Sequence, residues 1–446
     1  MFNFIKLIGA YIEKGVIKTL FLCGLVGRPY YNHIREKHGL SRSEYHANKE
    51  QNDKSKMKAY IDWCQNHMND LSGFTPLSDT HYTRDENDPK LIAYYLPQFY
   101  EFEQNNLWHG KGFTEWTNTT KSVPQFTGHY QPRIPIDVGY YNLNTSDAMR
   151  RQIELAKQYG IYGFCFYYYW FHGDRIMEKP IFNLLDDKSL DMPFMLFWAN
   201  ENWTKNWVAD AKYGEIGEKV YDAFHAPEEA AAFLDGILPF WNDSRYIRIG
   251  GAPALIIYRH NADAYTREFV DELRAECRRR KISEPHIIMI TDYQIDKGLD
   301  FNPYEFGGDA IGEFATNSIK PKRKLQVSMN KKAHLGHRDM ADYIANKRYE
   351  YDTEYPLYRG VMTSYDNTAR KVYTDATIFI VSADEYKTWL KDSIDYMKNK
   401  STAPEKLLFV AAWNEWAEAM CLEPCKKYGY TYLQKTREAI EESRDE

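Results

Sequence analysis

The chain lacks a long hydrophobic run. Near the N-terminus the longest clean apolar stretch, residues 19–26, is too short to cross a bilayer, and Lys6, Glu13, Lys14 and Lys18 interrupt what precedes it. A secretory leader places its charges first and an unbroken apolar core after them, and this order is different. The expected location is therefore the cytoplasm, with a peripheral membrane contact through residues 1–27 as an open alternative. Cysteine is sparse and scattered (Cys23, Cys64, Cys165, Cys277, Cys421 and Cys425), so no disulfide framework is expected. Basic patches and acidic tails are also missing: 57 basic and 63 acidic residues are well mixed, for a net charge of −6, so no nucleic-acid partner is expected. No HExxH, GxSxG, phosphate loop or Gly-rich dinucleotide turn occurs, and no His/Asp/Cys cluster has metal-ligand spacing. The absence of an Asp-x-Asp motif argues against a metal-dependent nucleotide-sugar transferase.

Aromatic residues are abundant, at 16% of the chain with 36 tyrosines and 11 tryptophans. Their apolar faces and polar edges suit sugar rings as well as protein cores. Residues 1–88 differ from the rest and read as an N-terminal extension, mostly helical. Ile5, Ile8, Ile12, Val16 and Leu20 recur at helical spacing, which fits a helix on a membrane, on a partner or on the protein's own body. Residues 41–56 are polar and read as an exposed link or solvated helix. From Leu91 onward, apolar runs alternate with amphipathic stretches. Eight strands are expected, at about 91–96, 161–168, 194–198, 254–258, 286–291, 310–314, 357–363 and 407–413. Residues 315–350 give no clear element. The spacing predicts a (β/α)₈ barrel over 89–446 with long βα loops. A doubly wound sheet is the alternative, without the glycine-rich turn that usually accompanies it.

Polar and aromatic residues gather where these strands end, which in a barrel is one face. The last strand, Leu407–Ala412, runs straight into Trp413-Asn414-Glu415-Trp416-Ala417-Glu418. A solvated loop would have little use for two tryptophans, so this knot reads as a site. With the other nucleophile and metal patterns missing, chemistry by carboxylates remains, as glycosidic bond cleavage requires. Glu415 and Glu418 are the candidate catalytic pair, with Glu201 as a third candidate. The substrate-binding candidates are Tyr94, Tyr95, Gln98, Trp116, Tyr169, Trp170, His172, Trp198, Asn200, Glu201, Asn202, Trp203, Asp292, Tyr293, Asp366, Asn367, Arg370, Trp413, Asn414 and Trp416. Trp116, Trp170 and Trp203 are expected to line a sugar groove. Glu418 is expected to be the more enclosed carboxyl, and Glu415 the more polar one, helped by Asn414 or a tyrosine.

Six segments occur in order: Tyr94-Tyr95-Leu96-Pro97-Gln98-Phe99, Gly112-Phe113-Thr114-Glu115-Trp116, Gly128-His129-Tyr130-Gln131-Pro132, Trp198-Ala199-Asn200-Glu201-Asn202-Trp203, Asp366-Asn367-Thr368-Ala369-Arg370, and Trp413 to Glu418. Together they resemble the WbsX-like family, glycosyltransferases of bacterial polysaccharide clusters, which is related to glycoside hydrolase family 99, the endo-α-mannosidases and endomannanases. The resemblance covers residues 90–435. It implies a (β/α)₈ barrel, an oligosaccharide or polysaccharide substrate, and no cofactor. By motif, Glu415 would take the proton of the sugar 2-hydroxyl, and Glu418 would act as general acid and then general base. The implied route retains configuration through a 1,2-anhydro sugar. One departure stands out: the family usually has glycine after the second glutamate, where this chain has Ala419, a residue less suited to positive φ. Three functions follow as expectations: a retaining hydrolase of α-mannoside-like glycans, a transferase or transglycosylase of O-antigen or capsule synthesis, and a non-catalytic glycan-binding barrel.

Overall fold

The computed structural model describes residues 42–204, 219–221, 225–260, 265–292, 301–324, 326, 328–329, 334–371 and 375–444. The expectations for residues 1–27, including the membrane contact, lie outside the described residues. The chain divides into two compact units, Met1–His67 and Met68–Glu446. In the first, Arg42–Asn66 is a polar helix. In the second, residues 70–88 are tied to the barrel body, so this boundary falls earlier than the expected residue 88. Thr75 exchanges backbone hydrogen bonds with Tyr428 and Tyr430, and the Tyr82 amide donates to Gln158 O.

The second unit is built on eight strands: β1 Lys90–Tyr95, β2 Gly163–Phe171, β3 Phe194–Trp198, β4 Ala252–Ile257, β5 His286–Thr291, β6 Ala310–Glu313, β7 in two segments, Leu357–Tyr358 and Gly360–Met362, and β8 Leu407–Ala411. Successive strands pair in parallel from β1 to β6. The first segment of β7 pairs with β6 and the second with β8, which pairs in turn with β1. The sheet thus closes into a barrel. Strands buried on both faces must be continuously apolar, which is why the runs were legible.

Closure depends on the residues at the break in β7. The buried Arg359 pairs with Glu313 at the end of β6 (3.0 Å), and its guanidinium lies over the rings of Tyr351 and Tyr396. Next to it, a Cβ on Gly360 would lie 2.2 Å from Glu313 O, so only glycine lets β6 and β7 approach this closely.

The helices that follow the barrel strands include α1 Asp147–Gln158, α2 Lys179–Asp186, α3 Ala230–Trp241, α4 Thr266–Arg280, α5 Met340–Ala345, α6 Ala383–Asn399 and α7 Thr431–Glu442. The expected capping box opens α6, with Ser382 and Glu385 bonding each other's backbone. Among the described residues between β5 and β6 there is a 3₁₀ turn, Pro303–Phe306. Residues 315–350, where the sequence showed no element, include the strand His334–Arg338. It exists by pairing in parallel with Asp375–Phe379, which pairs antiparallel with Tyr365–Asp366. This small sheet stands at the barrel mouth, and a pairing across 41 residues leaves no local signal.

Among the described residues no helix is long and apolar enough to cross a membrane. The five described cysteines are free thiols.

Candidate active site

β8 ends at Ala411, and the chain then forms a tight hairpin. Asn414–Glu415 pairs antiparallel with Met420–Cys421, and the 3₁₀ turn Trp416–Glu418 lies between them. Ala419 closes the turn in the left-handed region, at φ 54°. Alanine therefore adopts the conformation in which the family usually places glycine, at the steric cost that residue would avoid. The hairpin returns over the barrel mouth and points Glu415 and Glu418 into one cleft of about 410 Å³, a size typical of small-ligand sites.

The two carboxylates meet on a single cation. Arg370 Nη1 donates to Glu418 Oε1 (2.7 Å), and Nη2 donates to Glu415 Oε2 (3.3 Å). On its remaining edge Arg370 Nε donates to Glu115 Oε1 (2.9 Å). The side chains of Arg370, Glu115 and Glu415 are 8%, 2% and 6% exposed, and that of Glu418 is 13% exposed. The expected order of enclosure is therefore reversed: Glu415 is the deeper carboxyl. Burial is the first cause of its elevated pKa, and the neighbouring charge of Glu418 is the second. Together they outweigh Arg370 and raise Glu415 well above the usual carboxylate range. Burial also raises Glu418, with Arg370 and Lys371 opposing.

Arg370 is placed by the turn before it. Asp366 caps the 3₁₀ turn Asn367–Ala369 by accepting from the Thr368 amide (3.0 Å). Its other oxygen accepts from Gln131 Nε2 (2.6 Å) and from His129 Nε2 (2.5 Å). His129 Nδ1 accepts from the Gln125 amide, which leaves Nε2 as the donor to Asp366. Burial would raise the Asp366 carboxyl, but His129 and Thr368 outweigh it and hold the group well below the ordinary range. Asn367 Oδ1 accepts from the Thr377 amide, which ties the turn to the mouth sheet.

Of the expected site residues, Gln98, Tyr169, Glu201, Asn202, Trp203, Asn367, Arg370, Glu415 and Glu418 line the cleft. Trp203 and Tyr169 pack together on one wall, with Trp108 behind Trp203. Burial raises the Glu201 carboxyl, against a weak pairing with Arg259 at 3.4 Å.

The others stand elsewhere, for identifiable reasons. Tyr94 lies inside the barrel against Phe197, Phe314 and Phe409, below the cleft floor. Tyr95 points the opposite way and donates to Gln152 on α1. Trp170 and Trp198 are core residues packed on Phe233 of α3. His172 faces outward to Glu229. Asn200 bonds both the carbonyl and the amide of Arg259. Asp292 borders a separate small hollow beside His260, and Tyr293 lies outside the described residues. Asp366 acts through Arg370, without lining the cleft itself. Asn414 does not assist Glu415: its amide bonds the Leu96 amide and carbonyl and the Tyr141 hydroxyl. Trp413 is buried against Phe164. Trp116 donates to Tyr141 O and packs on Trp416. Trp416 donates to the buried Glu423 (2.7 Å), which also accepts from Tyr141 and Gln152. These two tryptophans hold the hairpin rather than line the cleft.

Glu115, which bonds Arg370, and the wall residues Tyr167, Phe197, Tyr258 and Tyr365 are site residues outside the sequence expectation. For Tyr167 a signal existed: it shares the strand face of Tyr169. For Glu115, some 300 residues from the pair, none did. Among the described residues, no group of three His, Cys, Asp or Glu is arranged to hold a metal ion.

A parallel barrel with paired glutamates at the carboxyl ends of its strands has the layout of an enzyme that works through carboxylates. The chain matches the family described as Glycosyltransferase WbsX over residues 91–436 and belongs to that family. It is 34% identical over 362 residues to "Uncharacterized protein WxcX" of two Xanthomonas campestris pv. campestris strains, ATCC 33913 and B100, covering 80% of this chain. The chain spans about half the length, 50%, of these curated relatives. Among solved structures it is similar to a glycoside hydrolase-like protein (14% identity, TM-score 0.49, covering 83% of this chain and 98% of the other). It is also similar to the GH99 endo-alpha-mannosidase from Bacteroides thetaiotaomicron (15% identity, TM-score 0.48, 81% and 99% covered).

Proposed function

We propose that this protein cleaves or transfers glycosidic bonds of an α-mannoside-like glycan with retention of configuration, in bacterial surface polysaccharide metabolism. The observation that carries the reading is the convergence of Glu415 and Glu418 on one guanidinium inside a cleft walled by aromatic side chains. Two carboxyls this close, in a buried setting, do not both ionise readily, and a pair that keeps one proton is what acid–base work on a glycoside requires. In the motif-based assignment Glu415 takes the 2-hydroxyl proton as that oxygen attacks the anomeric carbon. Glu418 protonates the departing oxygen, then activates the incoming hydroxyl to open the anhydro sugar. Water and an acceptor hydroxyl attack the same intermediate, so the reading covers hydrolysis and transfer alike.

The burial order favours a second assignment, with the roles exchanged. Burial disfavours the charged form, and Glu415 is the deeper carboxyl, at 6% side-chain exposure against 13% for Glu418, a setting that suits an acid better than a base. Replacing each glutamate by glutamine separates the two. An activated leaving group needs little acid help, so it rescues the first step only in the variant that has lost the acid. Rescue of Glu418→Gln supports the motif-based roles, and rescue of Glu415→Gln supports the exchange. Undiminished turnover of a 2-deoxy substrate excludes the anhydro route, and full activity in both variants excludes the pair.

A further inference from the structure

The excursion between β1 and α1 carries two of the segments singled out in the sequence, yet apart from Leu96 and Gln98 at its start it contributes nothing to the cleft wall. Both segments reach Arg370 instead. His129 and Gln131 hold Asp366, which caps the turn leading into Arg370. Glu115 holds the guanidinium itself, with its Oε1 within 2.8 Å of Nη2 and 2.9 Å of Nε. The Glu115 backbone is fixed as firmly: it opens the helix Glu115–Lys121 behind the cap residue Thr114, and its amide donates to Gln98 O (3.0 Å).

Three buried carboxylates therefore share one cation. If all three were ionised, the cluster would carry a net charge of −2 in a setting that water barely reaches. The other groups facing the pair are Glu201 across the cleft, Lys371 beside Glu418, and the tyrosines 167, 169, 258 and 365. Of these only Lys371 is cationic, and it is exposed at the rim. Glu115 faces the protein rather than the cleft, so substrate does not touch it, but its charge opposes ionisation of both members of the pair.

The geometry points to Glu115 as a positioning and charge-setting residue: it locks the Arg370 guanidinium across Glu415 and Glu418 and offsets its positive charge, so that the pair keeps a proton at neutral pH. This deepens the reading of Glu415 and Glu418 as the acid–base pair, and rests on it for its catalytic meaning.

The test is Glu115→Gln in the full chain. It preserves the shape and removes the charge. Glutamate labelled with ¹³C at Cδ gives carboxyl titration curves, and the signals are assigned by their loss in Glu415→Gln and Glu418→Gln. In Glu115→Gln the titration midpoints of the pair should fall by about one pH unit or more, the scale set by a nearby charge. With substrate, the alkaline limb of the kcat profile should move to lower pH in step, and kcat at neutral pH should fall about tenfold with little change in KM. Glu115→Asp, which retains the charge but withdraws it by one methylene, should give a smaller shift. Unchanged midpoints in both variants, whatever happens to the melting temperature, overturn the proposal and reduce Glu115 to a structural clamp. The titration needs no substrate. Shifted midpoints in a protein that turns over no glycan would leave this inference standing while the proposed function falls.

Discussion

At the scale of single residues, Glu423 shows how the hairpin depends on protonation. Three donors, Tyr141, Gln152 and Trp416, converge on its buried carboxyl, and burial still lifts it to about 7. The fold therefore favours the neutral form. Its contribution is fully present below the ordinary value of 4.5 and is lost as pH rises towards about 7. Across that window the single group makes the protein less stable by ~3 kcal/mol. Thermal unfolding followed from pH 4.5 to 7.5 should show this decline, and Glu423→Gln should flatten it; an equally steep decline in the variant would place its origin elsewhere. Ala419 is the second such residue. In its left-handed conformation a methyl group costs about 1–2 kcal/mol, partly offset by the greater chain entropy of glycine. Ala419→Gly should therefore raise stability by up to about 1 kcal/mol in denaturant unfolding. A loss of that size would mean that the methyl group's buried contacts outweigh the strain.

At the scale of elements, strand alternation sorts the aromatic residues. Tyr167 and Tyr169 face the cleft, whereas Tyr168 and Trp170 face α3. Phe197, Ala199, Glu201 and Trp203 line the cleft, while Trp198 and Asn200 do not. A contiguous run at a strand exit was legible as a site, but only every second residue belongs to it, and the sequence alone did not fix which. Trp203→Ala should weaken glycan binding about tenfold with a modest change in melting temperature. Trp170→Ala should cost about 3–5 kcal/mol of stability, as core tryptophans do. A binding defect without destabilisation in Trp170→Ala would contradict its placement in the core.

The N-terminal boundary is an element-scale matter too. Thr431 Oγ1 donates to Gly73 O, Arg437 donates to Thr80, and Arg444 bonds Asp88 in a pair that also takes in Tyr82. A chain beginning at Met68 should melt several degrees higher than one beginning near Glu86. Equal melting of the two would show that residues 68–85 add nothing to the barrel.

At the scale of the whole molecule, the barrel was legible because a strand buried on both faces has no choice but to be apolar, and eight such runs alternate with amphipathic stretches. The hairpin at the end of β8 was legible as well, because acids leaving an apolar strand have few structural uses. The support of that hairpin was not. Glu115, His129, Gln131 and Asp366 come from segments far apart in the chain, and their meeting at Arg370 is a product of closure that no local pattern encodes. Nor was the order of burial within the pair, which depends on how the hairpin tilts over the mouth.

The central claim is that Glu415 and Glu418 together break and remake glycosidic bonds in this cleft. The most direct measurement incubates the wild-type protein, Glu415→Gln and Glu418→Gln with a panel of defined α-mannosides and related oligosaccharides, with and without added acceptor glycans, and detects the products by mass spectrometry. The wild type should form a cleaved or transferred product from at least one α-mannoside, and each variant should lose about a hundredfold or more of that rate with natural leaving groups. Product formed equally well by both variants, or a wild type that binds the glycans and converts none of them, would contradict that claim.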